Sequence, residues 1–330
     1  MNLIKIKGDA SMKIVVLEGF AVNPGDLSWA VLEAFGEVEV YENTEEHQIK
    51  DRLAGVQAVF VNKLKVDQTF IEENPSIEYI GELATGFDNI DLKACQEAGI
   101  TVTNIPSYGS QGVAQFAFAL ILSLYSKVDY HADLVQRGEW SKRGSFTLHD
   151  QPIYELYGKT IGIVGYGAIG QALEKIAHGF GMEIIIYDHH ADQKEAKLGD
   201  FVSLEKLIKE SDIVSLHVPL TDKTKGMIGK EELETMKESA ILINVSRGGI
   251  VDEEALKNAL DRGEIAGAGL DVVEEEPIPD NHPLLTTGHC IITPHMAWLA
   301  KESRQRLLDM ALENFKAYLE GHPQNQLTEL

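Results

Sequence analysis

The sequence predicts an α/β protein with parallel sheets, because short β-rich runs alternate with helical stretches along most of the chain. A length of 330 residues favours two domains over one. A less regular stretch at 137–157 separates two series of strands and is interpreted as a connecting arm. The predicted strands are, in chain order, 13–19, 58–63, 78–84, 100–105, 160–165, 183–188, 212–220, 240–248, 266–273 and 290–295.

The composition is that of an ordinary globular protein, with 44% hydrophobic and 25% charged residues. A formal net charge of −23 argues against a nucleic-acid partner, which would need a basic face to neutralise phosphates. A small anionic substrate would need a local cation against this negative field. We therefore expect an arginine in the active site.

Membrane, metal and disulfide chemistry are not indicated. The longest apolar stretch, 113–125, is shorter than the ~20 residues of a membrane-spanning helix, so it predicts a buried helix. Cys95 and Cys290 fit neither a disulfide framework nor a metal-ligand spacing, so no metal is expected. The N-terminus lacks the continuous apolar run of a secretory signal, which favours a cytoplasmic location. Met12 opens the first strand, which leaves open that residues 1–11 are a short extension.

The most informative motif is GIVGYGAIG at 162–170, which follows a predicted strand and opens a predicted helix. Gly165 permits the tight turn, Gly167 lets the backbone approach a pyrophosphate, and Gly170 allows close packing of helix on strand. The next predicted strand ends in Asp188, a residue suited to accept hydrogen bonds from ribose hydroxyls. The alternative is a glycine-rich turn selected for packing, but the ordered combination favours a dinucleotide site.

The cofactor is predicted to be NAD, because Asp188 would repel the 2′-phosphate of NADP. The neighbouring Tyr187, His189 and His190 supply no arginine that would bind this phosphate.

Three ionisable residues follow predicted strands further along the chain: Arg247, Glu276 and His295. Hydride transfer to a 2-oxo acid needs one group to hold the carboxylate, one to protonate the carbonyl oxygen and one to tune that acid. Taken singly, Arg247 could be a surface ion pair, Glu276 part of a solvated loop and His295 a hydrogen-bonded core residue. Their joint occurrence after a dinucleotide motif favours the catalytic interpretation.

These motifs together resemble the D-isomer-specific 2-hydroxyacid dehydrogenases, in particular the bacterial glycerate dehydrogenases, also called hydroxypyruvate reductases. The resemblance covers essentially the whole chain. It is carried by LATGFDNIDL (83–92), VTNIPSYGSQGVAQFAFALIL (102–122), GKTIGIVGYGAIGQ (158–171), NVSRGGIVDE (244–253), DVVEEEP (271–277) and TPHMAW (293–298).

The resemblance implies a role for each matching residue. Arg247 would bind the substrate carboxylate and polarise the 2-oxo group, His295 would be the general acid and base, and Glu276 would pair with His295. The implied substrate-binding residues are Ala84, Thr85, Gly86, Arg247, His295 and Trp298. The implied cofactor-binding residues are Thr85, Gly165, Gly167, Ala168, Ile169, Gly170, Asp188, Val218, Pro219, Thr224, Val245, Ser246, Arg247, Asp271 and His295, with Asp271 holding the carboxamide.

The resemblance also implies the layout: two Rossmann-like, doubly wound parallel-sheet domains with a cleft between them. Residues 1–106 and 296–330 would form a discontinuous substrate-binding domain, and residues 107–295 the NAD-binding domain, with hinges near Pro106 and Pro294. Relatives are commonly homodimers, and the apolar helix at 113–125 is our candidate for part of the interface.

Two positions depart from common family usage. Ala168 replaces an arginine of many relatives, which removes a phosphate contact, and Glu82 stands where a small or apolar residue is more usual. The sequence offers no physical account of Glu82.

The predicted reaction converts hydroxypyruvate or glyoxylate to D-glycerate or glycolate with NADH. The alternatives are a non-catalytic, NAD-responsive protein like the corepressors that share this fold, and a dehydrogenase for another 2-oxo acid, of the D-lactate or phosphoglycerate type. A formate dehydrogenase would be expected to carry glutamine in place of Glu276.

Overall fold

The computed structural model describes residues 12–329, so the suggestion that residues 1–11 are an extension lies outside the described part. The chain divides into two compact units. The first comprises Met1–Gly109 and Leu299–Leu330, and the second is Ser110–Trp298. The assignment of the units to substrate and to NAD, the cleft and the hinges stay predictions.

The first unit contains a five-stranded parallel sheet in the order β2-β1-β3-β4-β5. Its strands are β1 (Lys13–Val16), β2 (Glu37–Val40), β3 (Ala58–Val61), β4 (Tyr79–Glu82) and β5 (Thr101–Thr103). Its helices are α1 (Gly19–Val22), α2 (Ile49–Arg52), α3 (Gln68–Glu73), α4 (Leu92–Glu97) and α12 (Lys301–Leu319), with 3-10 turns at Leu32–Ala34 and Glu46–Gln48.

Strand β2 is the one element of this sheet that the predicted strands omit. It pairs only with β1 in the strand order, and three of its four residues are exposed. Its sequence EVEV places glutamates on an edge strand, where charges also discourage pairing with other chains. The two glutamates make this segment more polar than the apolar runs that predict the other strands of this sheet.

The predicted C-terminal helix is confirmed as α12, and it packs within the first unit. Phe315 is fully buried, and its ring centroid lies 5.6 Å from that of Phe60 and 4.9 Å from that of Tyr79. The guanidinium of Arg304, which is 6% exposed, donates to both carboxylate oxygens of Asp26 at 2.7 Å. This two-pronged ion pair joins the last helix to the first part of the chain.

The second unit contains a seven-stranded parallel sheet in the order β12-β11-β10-β9-β6-β7-β8. Its strands are β6 (Thr160–Val164), β7 (Glu183–Tyr187), β8 (Asp200–Phe201), β9 (Ile213–Leu216), β10 (Ile241–Asn244), β11 (Gly267–Leu270) and β12 (Cys290–Ile292). Its helices are α5 (Ser110–Ser126), α6 (Val128–Gln136), α7 (Glu139–Arg143), α8 (Ala168–Gly179), α9 (Leu204–Glu210), α10 (Lys230–Thr235) and α11 (Glu253–Arg262), with 3-10 turns at Ala191–Gln193, Gly248–Ile250 and Pro283–Thr286.

Helices cover both faces of this sheet, and each face has its own core. Helices α5 and α8 pack on one face, where Phe118, Ile121 and Leu173 are buried. Leu207, Leu256 and neighbouring side chains bury the other face. The two sheets confirm the predicted fold class of two doubly wound parallel-sheet units.

The apolar run at 113–125 forms most of α5, as predicted, with Ala117, Phe118 and Ile121 almost fully buried. The stretch at 137–157 is less regular, although it contains the short helix α7. Between residues 12 and 329, no helix combines the length and the apolarity needed to cross a membrane.

Each sheet reverses its winding direction at one point, and polar groups gather there. In the seven-stranded sheet the reversal lies between β6 and β9, and in the five-stranded sheet between β1 and β3. Ligands of open α/β sheets bind at such switch points, outside the carboxyl ends of the strands. In the first unit the carboxylate of Glu18 accepts hydrogen bonds from the backbone N–H groups of Asn62, Lys63 and Leu64, at 2.8–2.9 Å.

The structure gives a physical account of Glu82. Its side chain is fully buried at the end of β4, where Oε2 accepts a hydrogen bond of 3.1 Å from Asn89. Within residues 12–329, Oε1 has no hydrogen-bond partner. Burial raises the pKa of Glu82 to about 9, and Asn89 only partly opposes this effect. Glu82 is therefore a neutral carboxylic acid at neutral pH.

We expect Glu82 to lower stability as the pH rises. The folded protein keeps a proton up to about pH 9, whereas the unfolded chain loses it near the ordinary pKa of 4.5. Between these values the free energy of unfolding should fall by about 1.4 kcal/mol per pH unit because of this group. Glu82→Gln removes the titration, so its stability relative to the parent should rise with that slope in denaturant unfolding from pH 5 to 9.

The exposed Glu78 beside β4 provides the matched control, because Glu78→Gln removes a carboxylate that is not buried. Its stability difference should stay flat over the same range. A flat difference for Glu82→Gln as well would show that Glu82 ionises normally.

Candidate functional site

The predicted site residues of the second unit follow the carboxyl ends of its parallel strands. Because parallel strands end at the same edge of a sheet, these residues share one edge. They are Gly165, Gly167, Ala168, Ile169 and Gly170 after β6, Asp188 after β7, Val218 and Pro219 after β9, Val245, Ser246 and Arg247 after β10, Asp271 after β11, and His295 after β12.

The glycine loop has the geometry of a pyrophosphate site. Gly165 has φ +98, and a Cβ there would lie 2.5 Å from the carbonyl oxygen of His217. A Cβ on Gly170 would lie 2.3 Å from the carbonyl oxygen of Gly165, whereas one on Gly167 would meet nothing within 4 Å. The open face at Gly167 and the start of α8 at Ala168 therefore fit a dinucleotide that approaches the backbone.

Asp188 is held in a network at the end of β7. Its Oδ2 accepts hydrogen bonds from the backbone N–H of Tyr166 at 2.7 Å and from the ammonium of Lys194 at 2.6 Å, and its Oδ1 from the backbone N–H of His190 at 2.8 Å. Burial by itself would raise the pKa of Asp188, but the hydrogen bonds from Lys194 and the two N–H groups outweigh it and lower the pKa. Asp188 is thus an ionised acceptor beside a cation.

The turn that carries Arg247 is fixed by Asn244, the last residue of β10, which is 1% exposed. The Asn244 side-chain oxygen accepts from the N–H and the hydroxyl of Ser246, and its amide donates to the carbonyl of Arg247 at 2.7 Å. The half-buried Arg247 side chain donates to the carbonyl of Ser246 at 2.8 Å. The buried side-chain amide of Asn244 therefore fixes the backbone before and after Arg247, the residue that is predicted to bind the substrate carboxylate.

His295 and Glu276 form the predicted pair. The Nδ1 of His295 lies 2.6 Å from the Oε2 of Glu276, and the two side chains are 25% and 33% exposed. His295 has φ 49, a left-handed conformation that is uncommon outside glycine and clusters at functional sites. Its backbone N–H donates to the carbonyls of Asp271 and Thr293. The geometry leaves Nε2 as the ring atom for proton exchange with a substrate.

Asp271 organises the loop that bears His295. The carboxylate is 1% exposed and accepts hydrogen bonds from the Thr293 hydroxyl at 2.6 Å and from the N–H groups of Met296 and Ala297 at 2.9 and 2.7 Å. Burial raises the pKa of Asp271, although these hydrogen bonds oppose the rise. Asp271 thus has a clear structural role, and its contact with the carboxamide stays a prediction.

Two further predicted groups lie at the edges of this region. The hydroxyl of Thr224 donates to the carbonyl of Pro219 at 2.6 Å, which folds the segment after β9 back on itself. The indole of Trp298 donates to the carbonyl of His295 at 3.1 Å.

In the first unit, the predicted substrate-binding residues Ala84, Thr85 and Gly86 follow β4. The Thr85 hydroxyl donates to the carbonyl of Ile105 at 2.7 Å, and Asn104 donates to the carbonyl of Thr85 at 2.8 Å. Among the hydrogen bonds of residues 12–329, none is donated by the backbone N–H of Thr85 or Gly86. These two groups can therefore donate to an anion.

Comparison with known proteins identifies the family. Residues 118–297 match the family model described as D-isomer specific 2-hydroxyacid dehydrogenase, NAD binding domain. The chain belongs to the D-isomer-specific 2-hydroxyacid dehydrogenase family. This finding confirms the predicted family and the predicted NAD cofactor.

Named relatives agree with this result, and a solved structure shares the fold. The chain is 43% identical over 318 residues to a hydroxypyruvate reductase of Blautia hydrogenotrophica, covering 95% of this chain and 99% of that protein. It is 40% identical over 292 residues to a glycerate dehydrogenase of Methylorubrum extorquens, covering 88% and 91%. A crystal structure of a protein from Thermus thermophilus aligns with a TM-score of 0.85 and 34% identity, covering 96% and 100%.

Sequence reasoning missed two residues of this dehydrogenase that shape the site. Lys194 pairs with Asp188 from a turn six residues later, a distance along the chain that no motif specifies. Asn244 lies within NVSRGGIVDE, but only its burial and hydrogen bonds show that it fixes the Arg247 turn.

The Asp188–Lys194 pair yields a test of coenzyme preference. The parent should prefer NADH to NADPH in kcat/KM by on the order of 10-fold or more, because Asp188 repels a 2′-phosphate. Asp188→Ala removes the repulsion and leaves the Lys194 ammonium to attract the phosphate, so the preference should narrow. Steady-state kinetics with both coenzymes would measure this preference as the ratio of kcat/KM for NADH to kcat/KM for NADPH.

Lys194→Ala is the control, because it removes the attraction and leaves Asp188 in place. This variant should retain or widen the preference for NADH. Equal kcat/KM values for the two coenzymes in the parent would contradict the role of Asp188.

Proposed function

We propose that this protein is an NAD-dependent dehydrogenase that interconverts hydroxypyruvate or glyoxylate and D-glycerate or glycolate. The observation that carries the proposal is the hydrogen bond of 2.6 Å between His295 and Glu276, on the sheet edge that also bears Arg247 and the glycine loop. A paired imidazole, a guanidinium and a dinucleotide site are what reduction of a 2-oxo acid requires.

The proposed proton donor in the reducing direction is His295. Glu276 accepts the hydrogen of Nδ1, which stabilises the imidazolium and orients Nε2 toward the carbonyl oxygen that becomes the hydroxyl. In the oxidising direction the neutral imidazole accepts the hydroxyl proton. When bound, NAD(H) supplies or accepts the hydride, and Gly167, Ala168 and Asp188 are the proposed groups that hold its pyrophosphate and ribose.

Substrate recognition is proposed to rest on two kinds of donor. The guanidinium of Arg247 matches the planar geometry of a carboxylate and can also polarise the 2-oxo group. The backbone N–H groups of Thr85 and Gly86 offer further donors, as does that of Ala84 in the family pattern. We assign the side-chain pocket in part to Trp298, which is held through its indole by the His295 carbonyl.

A homodimer is proposed on the basis of exposed apolar surface. The helix α5, which is proposed from the sequence as part of the interface, buries much of its apolar side within its own unit. Large exposed apolar side chains instead follow it in the segment 128–157, where Phe146 is 93% and Tyr157 77% exposed. Apolar surface of this kind commonly marks an interface, so we extend the proposed interface to this segment. A cytoplasmic location stays a proposal, supported by the two free cysteines.

The function is tested by turnover with NADH and a panel of 2-oxo acids. Hydroxypyruvate and glyoxylate should give the highest kcat/KM, above pyruvate and 3-phosphohydroxypyruvate. Arg247→Lys should lower kcat/KM by on the order of 10²-fold, because an ammonium cannot reproduce the two-pronged contact. Absence of turnover with every acid would favour the non-catalytic alternative, and highest activity on pyruvate or the phosphorylated acid would identify the other dehydrogenases.

The assigned pairing is tested by the pH dependence of reduction. Reductive kcat/KM should fall as the pH rises and His295 loses its proton. Glu276→Gln removes the charge that favours the imidazolium but leaves an acceptor for Nδ1–H. The fall of reductive kcat/KM with rising pH, here called the reductive pH limb, should therefore move to lower pH. Parallel pH profiles measure the shift, after a deuteride isotope effect has shown that hydride transfer limits the rate. If this limb does not move, or moves to higher pH, Glu276 is not the partner of His295.

A further inference from the structure

A second carboxylate–histidine pair lies next to the loop that carries Glu276. Glu253, the first residue of α11, uses both oxygens on this loop: Oε1 accepts from the backbone N–H of Glu274 at 2.7 Å, and Oε2 lies 2.8 Å from Nε2 of His282. Glu274 and His282 stand on either side of Glu276 in the sequence. One carboxylate therefore binds the loop before and after the proposed catalytic glutamate.

This pair is largely removed from solvent. The side chains of His282 and Glu253 are 9% and 11% exposed. A carboxylate with so little exposure is costly to bury unless its oxygens accept hydrogen bonds, and here both do. The N–H of Leu284 points to Nδ1 of His282 at 3.4 Å, which favours the tautomer that donates from Nε2 to Glu253.

Short connections link the anchored backbone to His295. The N–H of Val273, the residue before Glu274, donates to Oε1 of Glu276 at 3.3 Å. The other oxygen of Glu276 lies 2.6 Å from Nδ1 of His295. A displacement of the backbone at Val273 would therefore reach the Glu276 carboxylate and, through it, the imidazole.

The anchored backbone also contacts the segment after Arg247. A Cβ placed on Gly248 would lie 2.0 Å from the carbonyl carbon of Val273 and 2.3 Å from the nitrogen of Glu274. Only glycine permits so close an approach. The backbone beside Arg247 thus rests directly on the residues that Glu253 holds.

We propose that Glu253 and His282 are positioning residues that fix the Glu276 loop against the Arg247 turn and thereby set the geometry of the His295–Glu276 pair. The proposal rests on the proposed function for its kinetic consequences. Neither residue exchanges a proton with the substrate. Their role differs from a purely stabilising one because their loss should alter the protonation behaviour of His295 and not only the melting temperature.

The test uses the full chain and the variants Glu253→Ala, His282→Ala and the double variant. Reduction of hydroxypyruvate by NADH should lose roughly tenfold in kcat in each single variant, because a small misplacement of catalytic groups is expensive in rate. The KM for NADH should stay within about twofold, since the glycine loop is not held by this pair. The double variant should lose little more than the worse single variant, because both residues act on one loop.

The decisive readout is the protonation of His295, whose Nδ1 lies 2.6 Å from Glu276 and whose charge also interacts with the buried carboxyl group of Asp271. In Glu253→Ala and His282→Ala, the reductive pH limb should move in the same direction as in Glu276→Gln. An NMR titration of the His295 ring in the coenzyme-free protein should show the same displacement without any turnover.

Two further variants control for charge and for folding. Glu254→Ala removes the same charge from the next residue of α11. It should leave both the pH dependence of reduction and the NMR titration of His295 unchanged. Glu253→Gln keeps an acceptor for the Glu274 N–H, so it should recover part of the lost rate, and it carries the test together with His282→Ala where Glu253→Ala does not fold.

If Glu276→Gln changes neither the pH dependence of reduction nor the NMR titration of His295, the proposed pairing and the function built on it would be overturned. A shift in Glu276→Gln with none in Glu253→Ala, Glu253→Gln or His282→Ala would overturn the positioning role alone. A lower melting temperature without a shift of the His295 titration would also overturn it, because that result describes a structural pair.

Discussion

The shared direction of the seven strands in the second unit is the constraint on which the candidate site depends. Each strand delivers its following loop to the same edge, so the glycine loop, Asp188, Arg247 and His295 share that edge although they are far apart in sequence. The switch between β6 and β9 opens the edge where the glycine loop turns, with Gly165 directly against the His217 carbonyl. A sheet with mixed strand directions would divide these groups between two edges.

Strand ends alone leave the loops adjustable, and buried polar side chains remove that freedom. Asn244 fixes the Arg247 turn, Asp271 fixes the segment after β12, and Glu253 with His282 holds the Glu276 loop. Each of these side chains makes at least two hydrogen bonds, which offset the cost of burying a polar side chain. The precision expected of a hydride-transfer site thus comes from residues that need not touch the substrate.

Glu82 and Asp188 show how context changes the behaviour of a carboxyl group. Glu82 lies in a strand with one oxygen lacking a partner among the described residues, so burial makes it a neutral acid. Asp188 is also partly buried, yet three donors keep it ionised, and one of them is the ammonium of Lys194. The two carboxyl groups differ in burial, which is complete only for Glu82, and in the number of donors that reach them.

From the sequence alone one could predict the alternation of strands and helices, the glycine loop, the family and the candidate residues Arg247, Glu276 and His295. These features are local, because periodicity and motif spacing reflect the geometry of short segments. The fold revealed features that the sequence did not predict: the edge strand β2, the neutral Glu82, the pairing of Lys194 with Asp188 and the Glu253–His282 pair. The last pair joins residues 29 positions apart. Burial and hydrogen bonds between distant segments exist only once the sheet has brought those segments together, and no pattern within one segment specifies them.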